Sequence, residues 1–339
     1  MRRRPYENVP RIGERLNIVM KIIKTKNYKL VIDGGKHALT ILNYPILYRF
    51  FRPTDYNIKS FIKNEICVST PSTFNDPYDT ALIYTEKGIE TFLFNEFRQL
   101  LHNNVDEKAK DFFYEKLNET FIALRKIRDL YGIACFSESV NHEIMWAHYS
   151  EQAKGFALAY ESKDLNDLAN NFQKDYLTAM NNERQNFNLD SILKQIMFSP
   201  VVYSNKKYNL TPIFLEMLKQ TFQKKEMSFN DELSNYLNSK SETNIIIHNT
   251  MLYSKNKDWG YEKEWRLVVN HFDIENTHFP IGRLKAKALY LGQKMDEELK
   301  DLLLCVAFDK GIPTFEMKTK VKNGTLKLVP ELKTKTKYD

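Results

Sequence analysis

Glu262, Glu264 and Arg266 fall on alternate positions of the stretch Trp259-Gly260-Tyr261-Glu262-Lys263-Glu264-Trp265-Arg266-Leu267-Val268-Val269. Taken as a strand, that spacing lines two carboxylates and a guanidinium along one ridge. Adjacent carboxylates repel when both ionise, so one pKa rises unless a cation intervenes, and Arg266 or Arg49 is the candidate cation. Trp259, Tyr261 and Trp265 are expected to wall the ridge with apolar surface, a partly dry setting in which charges become chemically useful. Cross-strand ion pairing would use the same residues structurally.

Further chemistry-bearing groups sit where strands are expected to end. In Leu47-Tyr48-Arg49-Phe50-Phe51-Arg52-Pro53 a guanidinium among aromatics suits a phosphate or carboxylate, or stacks on tyrosine. Ser137 and Ser139 of Cys135-Phe136-Ser137-Glu138-Ser139 can cap a helix or hold a ribose or phosphate. His142 and Glu143 lack the second histidine that a zinc-protease helix needs, because Trp146 stands there. Trp146, His148 and Tyr149 share the short helix that follows. Asn75 and Asp76, ahead of Pro77, nucleate a turn. Asp33-Gly34-Gly35-Lys36 lacks the glycines of a phosphate loop.

The elements that must position these groups follow from periodicity. Period-two or buried apolar runs predict strands over 28–32, 46–51, 65–69, 131–136, 155–160, 200–203, 264–270, 288–291, 314–317 and 325–329. Three- and four-residue spacing predicts helices over 12–23, 56–64, 87–101, 107–130, 143–150, 165–172, 189–196, 212–222, 230–237 and 296–308. Asn, Gln, Lys and Asp rise over 163–255. The chain therefore divides into an N-terminal extension (1–40), the first part of an α/β core (41–162), a largely helical insertion (163–255), and a second core part with a basic C-terminal tail (256–339).

Composition excludes several classes. With 339 residues, 42% hydrophobic and 13% aromatic, the chain has ample core and no disordered character. Cys67, Cys135 and Cys305 are too few and too scattered for a disulfide framework or a zinc site. Neither an apolar leader nor an 18-residue apolar run is seen, so a cytoplasmic protein without membrane contact is expected. The formal charge of +7 gathers at Arg2–Arg4 and along Lys318–Lys337, which fits an acidic or nucleic-acid partner as well as simple solubility.

The series Leu47-Tyr48-Arg49, Ser69-x-Pro71-Ser72-x-Phe74-Asn75-Asp76-Pro77, Cys135-Phe136-Ser137-Glu138, Met145-Trp146-x-His148-Tyr149, Gly155-Phe156 and Trp259-x-Tyr261-Glu262-x-Glu264-Trp265-Arg266 resembles, over about 46–320, a bacterial and phage domain family of unknown function, number 2971. The order aromatic-Arg, Phe-Ser-x-Ser, Glu-x-Glu is also similar to the Arg-Ser-Glu class of ADP-ribosyltransferases. That second resemblance implies an α+β fold on a split, mixed sheet, NAD as substrate, and a protein or nucleic-acid acceptor, in a toxin or antiphage setting. It implies that Arg49 holds the dinucleotide, that Ser137 and Ser139 brace the site, that Glu264 stabilises the cationic transition state, and that Glu262 orients the acceptor. Tyr48, Arg52, Trp146, His148 and Tyr149 are then expected around NAD, and Asn75 and Asp76 near the acceptor. Two other readings stay open: a non-catalytic nucleic-acid or partner-binding component, and a metal-dependent nuclease using Asp76, Asp79, Glu262 and Glu264.

Overall fold

The computed structural model describes residues 20–33, 36–184, 197–205, 209–212, 214–215, 242–270 and 276–333. In chain order the elements begin with β1 (Lys21–Lys24), β2 (Tyr28–Asp33), β3 (Lys36–Ile41), β4 (Ile46–Phe51), α1 (Asp55–Lys63), β5 (Glu65–Ser69), α2 (Glu86–Leu100) and α3 (Glu107–Lys126). Then come β6 (Tyr131–Ser137), α4 (Glu143–Tyr149), β7 (Phe156–Glu161), α5 (Ser162–Arg184), β8 (Phe198–Pro200), β9 (Val202–Tyr203), α6 (Glu242–Leu252) and β10 (Ser254–Lys255). The chain continues through β11 (Glu264–Asn270), β12 (His278–Arg283), β13 (Ala288–Leu291), α7 (Glu297–Asp309), β14 (Thr314–Lys322) and β15 (Thr325–Leu332).

The centre of the molecule is the pair β6 and β11, whose residues are buried on both faces apart from half-buried Cys135. Such strands read as continuous apolar runs rather than as alternating ones. β11 pairs antiparallel with β6 along its whole length, from Glu264 opposite Ser137 to Asn270 opposite Tyr131. The other edge of β6 is shared: β5 meets it only at Ile133, β4 only at Ser137. The sheet therefore forks. One arm is β5 with β12, and the other runs β4-β7-β13-β14-β15. β13 and β14 are parallel, joined through α7, while the other pairs of this sheet are antiparallel. The fold is thus α+β on a mixed, forked sheet, as the sequence led us to expect at that level.

Helices cover both faces. Phe61 of α1, Leu165 and Ala169 of α5, and Leu303 and Ala307 of α7 pack with Phe136, Trp265 and Leu267 on one side. Ile89 of α2, Leu117 and Leu124 of α3, and Ile247 and Met251 of α6 pack with Ile133 and Val268 on the other. Local chemistry fixes the helix bounds. Thr54 and Asp296 accept backbone N–H groups at the starts of α1 and α7. Asn64, at φ 58°, ends α1 just before β5 in the left-handed conformation that asparagine tolerates.

Several expectations are corrected. The helix expected over 12–23 fails at Lys21–Lys24, which is the first strand of an antiparallel β1-β2-β3 sheet; 12–19 lie outside the described residues. β3 and β12 were not expected. The strand expected over 200–203 is divided at Val201 into β8, which joins β11, and β9, which joins β10. The helices expected over 189–196 and 230–237, and most of 212–222, lie outside the described residues, whereas α6 is an additional helix. Above all, Trp259–Val269 is not one strand. Lys257–Glu262 forms a 3-10 turn whose start is capped by Asn256, and Lys263 takes φ 44°, so β11 begins only at Glu264. Among the described residues no helix is long and apolar enough to cross a membrane.

Candidate functional site

A cavity of about 350 Å3 opens at the fork and is lined by Arg49, Ser137, Glu262 and Glu264, among others. The sheet register explains the convergence, because Tyr48, Ser137 and Glu264 lie opposite one another in a row across β4, β6 and β11. Arg49, one residue on, points to the other face. Its guanidinium spans the gap between the arms, donating from Nη1 to the Cys67 carbonyl of β5 at 2.7 Å. It also stacks over Phe51 and Phe136. A second cavity of about 300 Å3 shares Arg49, Phe50, Arg52, Ser69, Tyr149 and His278 and extends to Thr54 and Asn57 at the start of α1. Both lie in the size range of small-molecule sites.

Against one wall sits a cluster of five charged side chains, each at most 5% exposed. Lys255 Nζ lies 2.7 Å from Glu262 Oε2, 3.3 Å from Glu264 Oε2 and 3.4 Å from Asp79 Oδ2, with the Trp259 ring 4.9 Å away. Arg266 donates from Nε to Glu264 Oε1 at 2.8 Å, and from Nη2 to Glu264 Oε2 at 3.1 Å and to Asp79 Oδ2 at 2.6 Å. Its Nη1 donates to the Leu252 carbonyl at 2.7 Å. Tyr149 donates its hydroxyl proton to Glu262 Oε1, and the Tyr203 hydroxyl accepts from the Glu264 N–H.

These surroundings separate the two glutamates. Burial, then the charge of Glu264, push the Glu262 carboxyl up to about 7, against the pull of Lys255 and Tyr149. Burial alone would raise Glu264 as well, but Arg266 and Lys255 outweigh it and hold that carboxyl well below its usual range. Burial would lower the Lys255 ammonium, yet Glu264, Asp79 and Glu262 together push it up, so it stays charged. Burial, above all, raises the Tyr149 hydroxyl. The site thus holds one permanent carboxylate beside one that changes protonation near neutral pH.

Of the residues singled out in the sequence, Arg49, Ser137, Glu262, Glu264, Tyr48, Arg52, Tyr149 and Asn75 line the cavity together. Ser137 braces it from within: its hydroxyl donates to the Glu262 carbonyl at 2.6 Å and accepts from the Ser139 N–H at 3.2 Å. Ser139 serves this turn and does not line the cavity. Trp146 is buried elsewhere, donating to the Val140 carbonyl and packing edge-on against Phe50. His148 meets the Tyr261 hydroxyl and the edge of Trp259 outside the cavity. Asp76 closes an Asx-turn by accepting from the Tyr78 N–H at 2.9 Å, and it is Asp79 that reaches the cluster. Trp265 does not wall the ridge. Alternation turns it to the opposite face, against Tyr28 and Phe198.

The cation between the glutamates was sought in Arg266 or Arg49. Lys255 fills that place, while Arg266 binds Glu264 and Asp79. Lys255 carried no signal in the sequence, because a turn reverses the chain between it and Glu264. Its ammonium lies among three carboxylates, those of Asp79, Glu262 and Glu264. Among the described residues no group of three or more His, Cys, Asp or Glu is placed to hold a metal. Among the described residues Cys67, Cys135 and Cys305 form no disulfide.

Residues 145–267 match the model of a family described as a protein of unknown function, DUF2971, which bears out the first resemblance over that stretch. The matched stretch contains Tyr149, Lys255, Glu262, Glu264 and Arg266. Neither the curated proteins nor the solved structures give a match to the chain.

Proposed function

We propose that the protein is an NAD-dependent ADP-ribosyltransferase-like enzyme acting on a protein or nucleic-acid acceptor, with a toxin or antiphage effector as its setting. One observation carries the reading: Arg49, Ser137 and Glu264, far apart in sequence, line one cavity at the fork of a split sheet.

Cleavage of the nicotinamide–ribose bond leaves positive charge on the ribose, and the nicotinamide departs with the bonding pair. Glu264, its carboxyl held well below the usual range by Arg266 and Lys255, supplies the fixed anion that favours this state. Its rigid seat, held by Arg266 and Lys255, spares reorganisation at the moment of reaction. Three carboxylates against two cations leave the cluster one negative charge in surplus when all are ionised, so the pairing does not cancel the field. Arg49 and Arg52 suit the diphosphate, and Tyr48, Phe50 and Tyr149 offer aromatic surface for the base. As the acceptor's nucleophilic atom bonds to the ribose carbon, its proton passes to Glu262.

The test is NAD consumption by the purified full chain. Glu264→Gln keeps shape and removes charge, and is expected to lower turnover ~100-fold or more, the scale of losing a preorganised electrostatic partner. No binding of NAD in calorimetry together with no turnover, or turnover that survives Glu264→Gln, overturns the reading.

A binding-only reading draws on one feature. The β14–β15 register sets Lys320 opposite Lys327, with Lys318 and Lys322 on the same face. Glu316 and Glu331 pair with Lys318 and Lys320 and leave a positive surplus on this face. Steeply salt-dependent RNA or DNA binding without NAD turnover would favour it.

A further inference from the structure

We propose that Lys255 is a positioning residue of this site: its ammonium, seated among Glu262, Glu264 and Asp79, holds the two glutamates side by side and leaves Glu262 as the group that exchanges a proton with a molecule bound in the cavity. The inference rests on the functional reading only for the identity of that molecule.

The ammonium is held by two hydrogen bonds and a further ion pair. An alkylammonium has three N–H donors. Three carboxylate oxygens lie at 2.7, 3.3 and 3.4 Å, with the Trp259 ring as a fourth neighbour. Donor and acceptors are anchored separately. β10 runs parallel to β9, with Lys255 opposite Tyr203 and its carbonyl accepting from the Ser204 N–H at 3.0 Å. Glu262 is fixed by the Ser137 hydroxyl on its carbonyl, and Glu264 by the Tyr203 hydroxyl on its N–H. The three side chains meet because the backbone brings them there.

The groups facing Glu262 show why Lys255 is needed. Tyr149 approaches from α4, Tyr203 from β9, Glu264 from β11 and Tyr261 from the same turn, while Asp79 shares the ammonium from the loop after β5. None of these is positive. Arg266 bonds to Glu264 and Asp79 and not to Glu262. Without Lys255, Glu262 would face an ionised Glu264 with only a tyrosine proton in its favour. The Lys255 ammonium is itself pushed up by the carboxylates, so it acts as a fixed charge and not as a base. In the proposed reaction Glu262 takes the acceptor's proton as the new bond to ribose forms, and Lys255 steadies the carboxylate form that must precede that step.

The test is a carbon-13 NMR titration of the glutamate side chains of the full chain without NAD, with Glu262→Gln used to assign the Glu262 signal. The wild-type Glu262 carboxyl is expected to titrate near 7. Lys255→Met is expected to move that midpoint up by about one pH unit or more, the usual scale for losing a neighbouring opposite charge, with Lys255→Arg restoring most of the shift. In the pH profile of NAD turnover the acid limb is expected to move with it. An unmoved midpoint in Lys255→Met overturns the inference. Should that variant not fold, Lys255→Gln, which also removes the charge, takes its place, and an unmoved midpoint there overturns the inference. A chain that ignores NAD yet shows the Lys255-dependent titration supports the role of Lys255 and removes only the ADP-ribosyl reading.

Discussion

Arg266→Met is the perturbation that most severely tests the account of the buried cluster. The guanidinium is fully buried and donates to Glu264 twice, to Asp79 and to the Leu252 carbonyl. Methionine fills much of the volume, so packing changes little. What changes is charge: three carboxylates are left with the single ammonium of Lys255. Removing one member of a buried, hydrogen-bonded ion network costs about 3–5 kcal/mol, and the stranded Leu252 carbonyl adds about 1 kcal/mol or more. Against a total stability of about 5–15 kcal/mol this is a large fraction. The loss must also depend on pH. Because Arg266 holds Glu264 below its ordinary value of 4.5, that stabilisation is complete above 4.5 and fades as pH falls toward the folded value, where Glu264 takes up its proton. In the variant Glu264 protonates more readily, so the penalty shrinks on acidification. Urea unfolding, followed by the fluorescence of Trp146, Trp259 and Trp265, should show a loss of about 4 kcal/mol at pH 7.5 and less at pH 4. A loss below about 1 kcal/mol at pH 7.5, or one that grows on acidification, would refute the reasoning.

Two other expectations follow from the same geometry. Burial raises Glu262 from 4.5 to about 7, so the folded state binds this proton more tightly than the unfolded one; the resulting stabilisation is whole below 4.5 and is lost as pH rises through about 7. Relative to wild type, Glu262→Gln should therefore gain stability between pH 4.5 and pH 7, and parallel thermal melts with no relative change across that window would contradict it. At Gly155 a Cβ would stand 2.0 Å from the Phe51 carbonyl oxygen, where the loop after α4 passes β4. Gly155→Ala should give insoluble chain or a melting temperature lower by many degrees, and a soluble variant that melts with the wild type would show that this close approach is not needed.

How far the sequence reveals this molecule depends on which interactions are local. The strands at 46–51, 65–69 and 288–291 were legible with their bounds, because each is a short apolar run with turn-forming or polar neighbours. β12 was hidden by its own residues. Pro280 and Gly282 read as a loop. The strand tolerates them through an irregularity between those two positions, with Gly282 at φ 151°, as a bulge does. Arg49, Ser137 and Glu264 could be picked out since each lies at or near the end of a well-patterned strand, and the register that aligns them follows from pairing those strands. The false extension of β11 back to Trp259 has the opposite origin. Alternation of Tyr261, Lys263 and Trp265 with the acids imitates a strand, whereas the left-handed Lys263 that ends it belongs to a capped turn.

The same turn explains why the two glutamates differ in acidity. On one ridge, as alternation suggested, Glu264 would stand between Glu262 and Arg266, about 7 Å from each. The 3-10 turn takes Glu262 out of the strand and hands it to Lys255 and Tyr149, while Glu264 stays in register with Ser137 and keeps Arg266. One carboxyl is left with two cations, the other with one cation and a tyrosine, and burial then drives them apart in acidity. The cluster is also an interlock between distant parts of the chain, since Asp79 follows β5 and its partners lie on β10 and β11. Forming it requires the β5 arm, the β6–β11 centre and the β9–β10 pair to be in place together. The difference in acidity between the two glutamates is therefore a property of the assembled fork and of no single strand.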